Sequence, residues 1–64
     1  MSLASRVKQK RTELNLSQTQ LAHKVGMRQQ SLQAIESGLT KRPRLLVELA
    51  TVLGCEPQWL LYGK

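Results

Sequence analysis

The side chains with the widest chemical scope in this chain are amides. Gln29, Gln30 and Gln33 stand with Ser37 in the stretch RQQSLQAIES, residues 28–37. On a helical wheel turning about 100° per residue they gather on one side, with Ala34 at its edge. Ser31, Leu32 and Ile35 fall on the other side, placed to face a core. A glutamine carries both an acceptor and a donor, and the two together match N7 and N6 of adenine. Glutamines are also good exposed helix formers with no further role. The neighbouring residues have to decide between the two readings.

Those neighbours supply a frame. Residues 18–37, QTQLAHKVGMRQQSLQAIES, read as two short helices joined by a tight turn at Gly26. Leu21, Ala22, Val25, Leu32 and Ile35 keep the i, i+3, i+4 spacing that gives each helix one buried stripe. Ala22 is small where the helices must cross, and Gly26 can take a positive φ that strains other residues. Ser17 is placed to cap the first helix, its hydroxyl accepting from a backbone N–H near Gln20. This is the pattern of a helix-turn-helix, whose second helix enters the major groove of DNA.

Charge points the same way. Residues 1–44 hold nine of the ten Lys and Arg against Glu13 and Glu36, whereas residues 45–64 hold Lys64 against Glu48 and Glu56. The overall +6 is therefore concentrated around the motif. Basic residues on one side of a small domain imply a polyanionic partner, because neutralised phosphates release counterions and drive binding. In Lys41-Arg42-Pro43-Arg44 the proline forces an extended or turning backbone, so three cations project from a loop. Such a loop suits a phosphate clamp or a minor-groove contact.

The remaining elements follow in order. Ser2 caps a first helix to Glu13, with Leu3, Val7 and Leu14 inward and Arg11 close to that inward side, where a buried arginine needs a partner. Asn15-Leu16 breaks to Ser17. After the reading helix, Gly38 suits a left-handed cap. Leu45 to Leu53 is expected as a fourth helix, apolar around most of its circumference and central to the core, ended by Gly54. Pro57 opens a fifth helix to Tyr62, stopped by Gly63, with Trp59 packing on the core and Leu61 and Tyr62 partly exposed. The expected architecture is all-α: five short helices in one compact domain, residues 1–64.

Other chemistries find no residues. Cys55 is the single cysteine, so no internal disulfide forms, and its place between Gly54 and Glu56 reads as a small structural residue at a helix junction. The one histidine, His23, reads as solvated. No metal-ligand spacing, phosphate-cradling glycine loop or paired-carboxylate site occurs. Catalytic residues, metal, cofactor, enzyme activity and a small-molecule ligand are accordingly not expected. The longest apolar run is too short to span a bilayer, and the lack of export signals and disulfides points to a reducing cytoplasm.

Taken together, SRVKQKRTELNLSQTQLAHKVG, RQQSLQAIESG, TKRPRLLVELATVLG and WLLYGK resemble the DNA-binding domains of the lambdoid phage repressor and Cro family, nearest to those of phage 434. The resemblance covers essentially the whole chain. It implies a lambda-repressor-like five-helix fold and a transcriptional regulator, in the cytoplasm of a bacterial host, that binds palindromic double-stranded operators as a homodimer on DNA. Gln29 and Gln30 then reach base edges, Gln18 holds a phosphate at a helix start, and Ser37, Lys41, Arg42 and Arg44 match backbone-contacting positions, Arg44 nearest the minor groove. Lys10 and Gln33 join them as expected backbone contacts, and Arg28 and Ala34 join the base-reading set. Arg11 and Glu36 match an internal ion pair, and Glu56, Pro57, Gln58 and Trp59 a dimer contact. Ala34 departs from the family, standing where the repressor has glutamine and Cro leucine; Arg28 stands where they have threonine and lysine. Operator bases therefore cannot be copied from either. An antitoxin that binds a toxin protein and its own operator shares the fold, but needs a partner-binding extension that these residues do not form. A basic module for an acidic protein or RNA is a third reading.

Overall fold

The structure, a computed structural model, describes residues 2–64. Serine caps set the starts of the first two helices. The first helix, α1 (Leu3–Glu13), begins at Ser2, whose Oγ accepts from the Ser5 N–H at 3.2 Å while the Ser5 hydroxyl oxygen accepts from the Ser2 N–H at 2.9 Å. The same reciprocal box opens α2 (Gln18–Val25): the Gln20 N–H donates to Ser17 Oγ at 3.0 Å and the Ser17 N–H to Gln20 Oε1 at 2.8 Å. Three helices follow, α3 (Gln29–Glu36), α4 (Leu46–Leu53) and α5 (Pro57–Tyr62). Among the described residues there is no strand.

The turn between α2 and α3 is tight because Gly26 sits at φ +89°. Its N–H and that of Met27 both donate to the Ala22 carbonyl at 2.9 Å, which folds the chain back within two residues. Leu21, Leu32 and Ile35 from these two helices meet Val7 of α1, Leu49 of α4 and Leu60 of α5 in one core. All six are almost completely buried. At roughly 25 cal/mol per Å² of apolar surface, that core is what holds five short helices that would be marginal alone.

Three details differ from the sequence reading. Leu14 is not inward but 46% exposed, because the chain leaves the helix at that residue and Asn15 turns it at φ +58°. The fourth helix starts at Leu46, not Leu45, and its apolar circumference is not all core: Leu49, Ala50 and Leu53 form the buried stripe while Val47 is 61% exposed. An apolar side chain on the outward face looks the same in sequence as one on the inward face. Ser31, expected on the core side of α3, is exposed at the edge of the stripe.

A Cβ built on Gly26 would meet nothing within 4 Å. Gly26→Ala should therefore cost backbone strain alone, about 1–2 kcal/mol. Urea unfolding should show a lower midpoint with an unchanged slope; a loss well above that range would mean the turn also depends on packing that the open space rules out.

Candidate nucleic-acid interface

Helix α3 presents two unlike sides because Leu32 and Ile35 lock one of them into the core. Arg28, Gln29, Gln30, Gln33 and Ser37 are consequently exposed, and Ala34 is half-buried at the boundary. The helix ends where the Leu39 and Thr40 N–H groups both return to the Ala34 carbonyl, at 2.9 and 3.1 Å. The Ser37 hydroxyl also donates to that carbonyl at 3.1 Å. This closure brings the loop of Lys41, Arg42 and Arg44, all exposed, back beside α3. An open groove of about 700 Å³ lies between the two, and Arg28, Gln30, Ala34, Thr40 and Arg44 are among its walls. One amide, Gln30, a methyl group, Ala34, and two cations, Arg28 and Arg44, thus border one concavity, the mix that base edges and phosphates require.

What orients α3 is a carboxylate at its far end. Glu36, its side chain 4% exposed, accepts from Arg11 Nε at 2.7 Å and from Arg11 Nη2 at 3.0 Å, a bidentate pair. Arg11 Nη1 donates to the Leu16 carbonyl at 2.9 Å, and Gln18 Nε2 donates to Glu36 Oε1 at 3.1 Å. One carboxylate therefore ties α1, the start of α2 and the end of α3. The hydrogen bond to Glu36 holds the Arg11 guanidinium above its ordinary range despite the opposing effect of burial, so Arg11 stays charged wherever the fold persists.

The remaining sequence-selected residues divide by location. Gln18 is half-buried, its amide occupied by Glu36, while its backbone lies at the N-terminus of α2. Lys10 is held away from the reading helix: its Nζ is 3.6 Å from Glu13 and 5.2 Å from the Trp59 ring centroid. A phosphate would have to draw it off Glu13. Glu56 and Gln58 are exposed and Pro57 and Trp59 half-buried at the start of α5. Burial raises the Cys55 thiol above its usual range, against a smaller opposing pull from Lys10. Among the described residues no group of His, Cys, Asp and Glu could hold a metal ion, and no helix is long and apolar enough to cross a membrane.

Sequence reasoning missed Arg6. It is 6% exposed and reaches α5. The signal was present, since Arg6 lies three residues after Leu3 and one before Val7, within the inward stripe.

The helix-turn-helix family (HTH_3) matches residues 7–60. The chain belongs to that family. Within it, the chain is 38% identical over 63 residues to the HTH-type transcriptional regulator PrtR of Pseudomonas aeruginosa, a match that covers 98% of this chain and 25% of that protein. The chain thus spans about a quarter of its relative's length. Family membership agrees with the geometry: α2, the Gly26 turn and α3 are the two helices and turn of the motif, and α3 is the helix that such motifs place in the groove.

Removing Arg11 leaves a buried carboxylate with only Gln18 for company, so Arg11→Met should cost about 3–5 kcal/mol. Replacing both Arg11 and Glu36 with apolar residues of similar size should cost less than the worse single change. A double-mutant cycle by denaturant unfolding measures the coupling; additive single effects would contradict a cooperative pair.

Proposed function

We propose that this chain is a sequence-specific double-stranded DNA-binding regulator of transcription, of the phage repressor and Cro type, which binds palindromic operators as a dimer. The observation that carries this reading is the exposed amide face of α3 beside an exposed cationic loop, with the opposite face of the helix buried. Neutral amides and cations have separate duties in such an interface. Cations meet phosphates of any sequence and supply most of the salt-dependent affinity. Amides at the start of α3 pair with base edges and supply the discrimination.

In this reading Gln29 and Gln30 read bases, Arg28 and Ala34 border them, and Gln33, Ser37, Lys41, Arg42 and Arg44 meet the backbone, Arg44 toward the minor groove. Gln18 offers the N-terminus of α2 to a phosphate, where backbone N–H groups and the helix dipole favour an anion. Lys10 is a backbone contact only for a phosphate strong enough to displace Glu13. Dimerisation uses Glu56 to Trp59, a patch far short of the roughly 1,200 Å² of a stable interface. The chain therefore dimerises on DNA, with α3 of each copy in half-sites about 34 Å apart.

Two substitutions separate the duties. Gln29→Ala should cost roughly 1–3 kcal/mol on the preferred duplex and much less on random DNA. Arg42→Ala should weaken both duplexes alike and lower the slope of log affinity against log salt by about one unit. Anisotropy titrations over a salt series, with RNA as competitor, read both effects. Equal weakening of all duplexes by Gln29→Ala, or displacement by RNA as effective as by DNA, would show that α3 does not read bases.

A further inference from the structure

The short helix α5 lacks the local means of holding its own position. It has six residues, no side-chain hydrogen bond at its N-cap and no basic residue in its last turn. Helices of this length are marginal in water, and their last carbonyls have no partner within the helix. Both needs are met from the other end of the chain. Arg6 Nε donates to the Leu60 carbonyl at 2.8 Å and Arg6 Nη2 to the Leu61 carbonyl at 2.9 Å. Arg6 is itself buried, 6% exposed. Its Cζ lies 6.0 Å from the Trp59 ring centroid, and one turn further along α1 Lys10 lies over the same ring at 5.2 Å.

We propose that Arg6 is a positioning residue for the dimer contact: its guanidinium caps α5 and thereby sets the direction in which Glu56 to Trp59 face a second copy of the chain. The proposal rests on the dimeric reading given above. Cationic groups at a helix C-terminus interact favourably with its carbonyls and dipole, and here the planar fork fixes orientation as well as charge. Gly63 is the other half of the device. At φ +78° it turns the chain so closely around the guanidinium that a Cβ would lie 2.9 Å from Arg6 Nη1. A lysine in place of Arg6 has one point of charge and no fork, so it cannot hold both carbonyls at once.

The test uses the full chain with Arg6→Met, Arg6→Lys and Gly63→Ala, the last disturbing the clamp while leaving Arg6 in place. Amide hydrogen exchange is read residue by residue. Affinity is read on duplexes carrying one or two copies of the half-site recovered by selection from random DNA. Exchange at Leu60 to Gly63 should rise about tenfold or more while the amides of α3 keep their protection. Single half-site affinity should stay within about twofold, and the advantage of two half-sites over one should fall about tenfold, because only the linked event depends on the direction of α5. Arg6→Lys should lie between Arg6→Met and the parent chain. Unchanged exchange in α5, or equal loss on one and two half-sites, overturns the role given to Arg6. If the parent chain itself gains nothing from a second half-site, the dimeric reading fails and the link from Arg6 to it fails with it, whatever α5 does. Should Arg6→Met not fold, Gly63→Ala gives the same decision.

Discussion

The carboxylate of Glu36 is the point on which the proposed interface turns. Three helices converge there: Arg11 brings α1, Gln18 the start of α2, and Glu36 itself the end of α3. Apolar packing of the buried Leu32 and Ile35 holds α3 against the core, but such contacts are non-directional and do not by themselves forbid small rotations. A bidentate guanidinium–carboxylate pair does not accept them, because both bonds need one plane. The core therefore supplies stability and the buried pair supplies register. With that register set, Gln29 and Gln30, almost two turns before Glu36, are carried on a rigid lever.

The distribution of charge follows from the same economy of space. In a chain of 64 residues one core leaves little room for buried polar groups, and the structure buries them only where helix ends or another charge meet them. Arg11 takes a carboxylate and a carbonyl, and Arg6 takes two carbonyls of α5. Arg28, Lys41, Arg42 and Arg44 remain exposed around α3. In the proposed function, exposed cations beside a face of neutral amides would let attraction to phosphate and discrimination between bases vary independently. That separation suits a protein whose Ala34 presents a methyl group at the edge of its amides.

Much of this was legible beforehand, for reasons specific to each element. Ser2, Ser17, Gly26, Gly54, Pro57 and Gly63 punctuate the helices by their own conformational preferences, so starts and stops could be read within a residue of where they lie. The outward amides of α3 were legible because Leu32 and Ile35 leave them no other side. Val47 was not, since an exposed valine carries no mark of exposure. The wheel alone placed Arg11 near the inward side, whereas Glu36 as its partner came only from resemblance to a family. The inward stripe of α1 marked the place of Arg6, but its partners, carbonyls of α5 at the opposite end of the sequence, carried no local sign. Local patterns state which face is buried; they do not state which distant helix end needs a donor.

The central claim, that the outward face of α3 reads bases one side chain at a time, is tested most directly at Ala34. Its methyl group can touch a thymine methyl and nothing more, so the parent chain should discriminate weakly at that base pair. Duplexes selected from a random library by the parent chain and by Ala34→Gln should differ at one symmetric pair of positions, where the new amide adds a hydrogen-bonding preference worth about 1–3 kcal/mol. The outer bases assigned to Gln29 and Gln30 should be the same in both selections. A change at the outer bases, or no change anywhere, would contradict the docking of this helix.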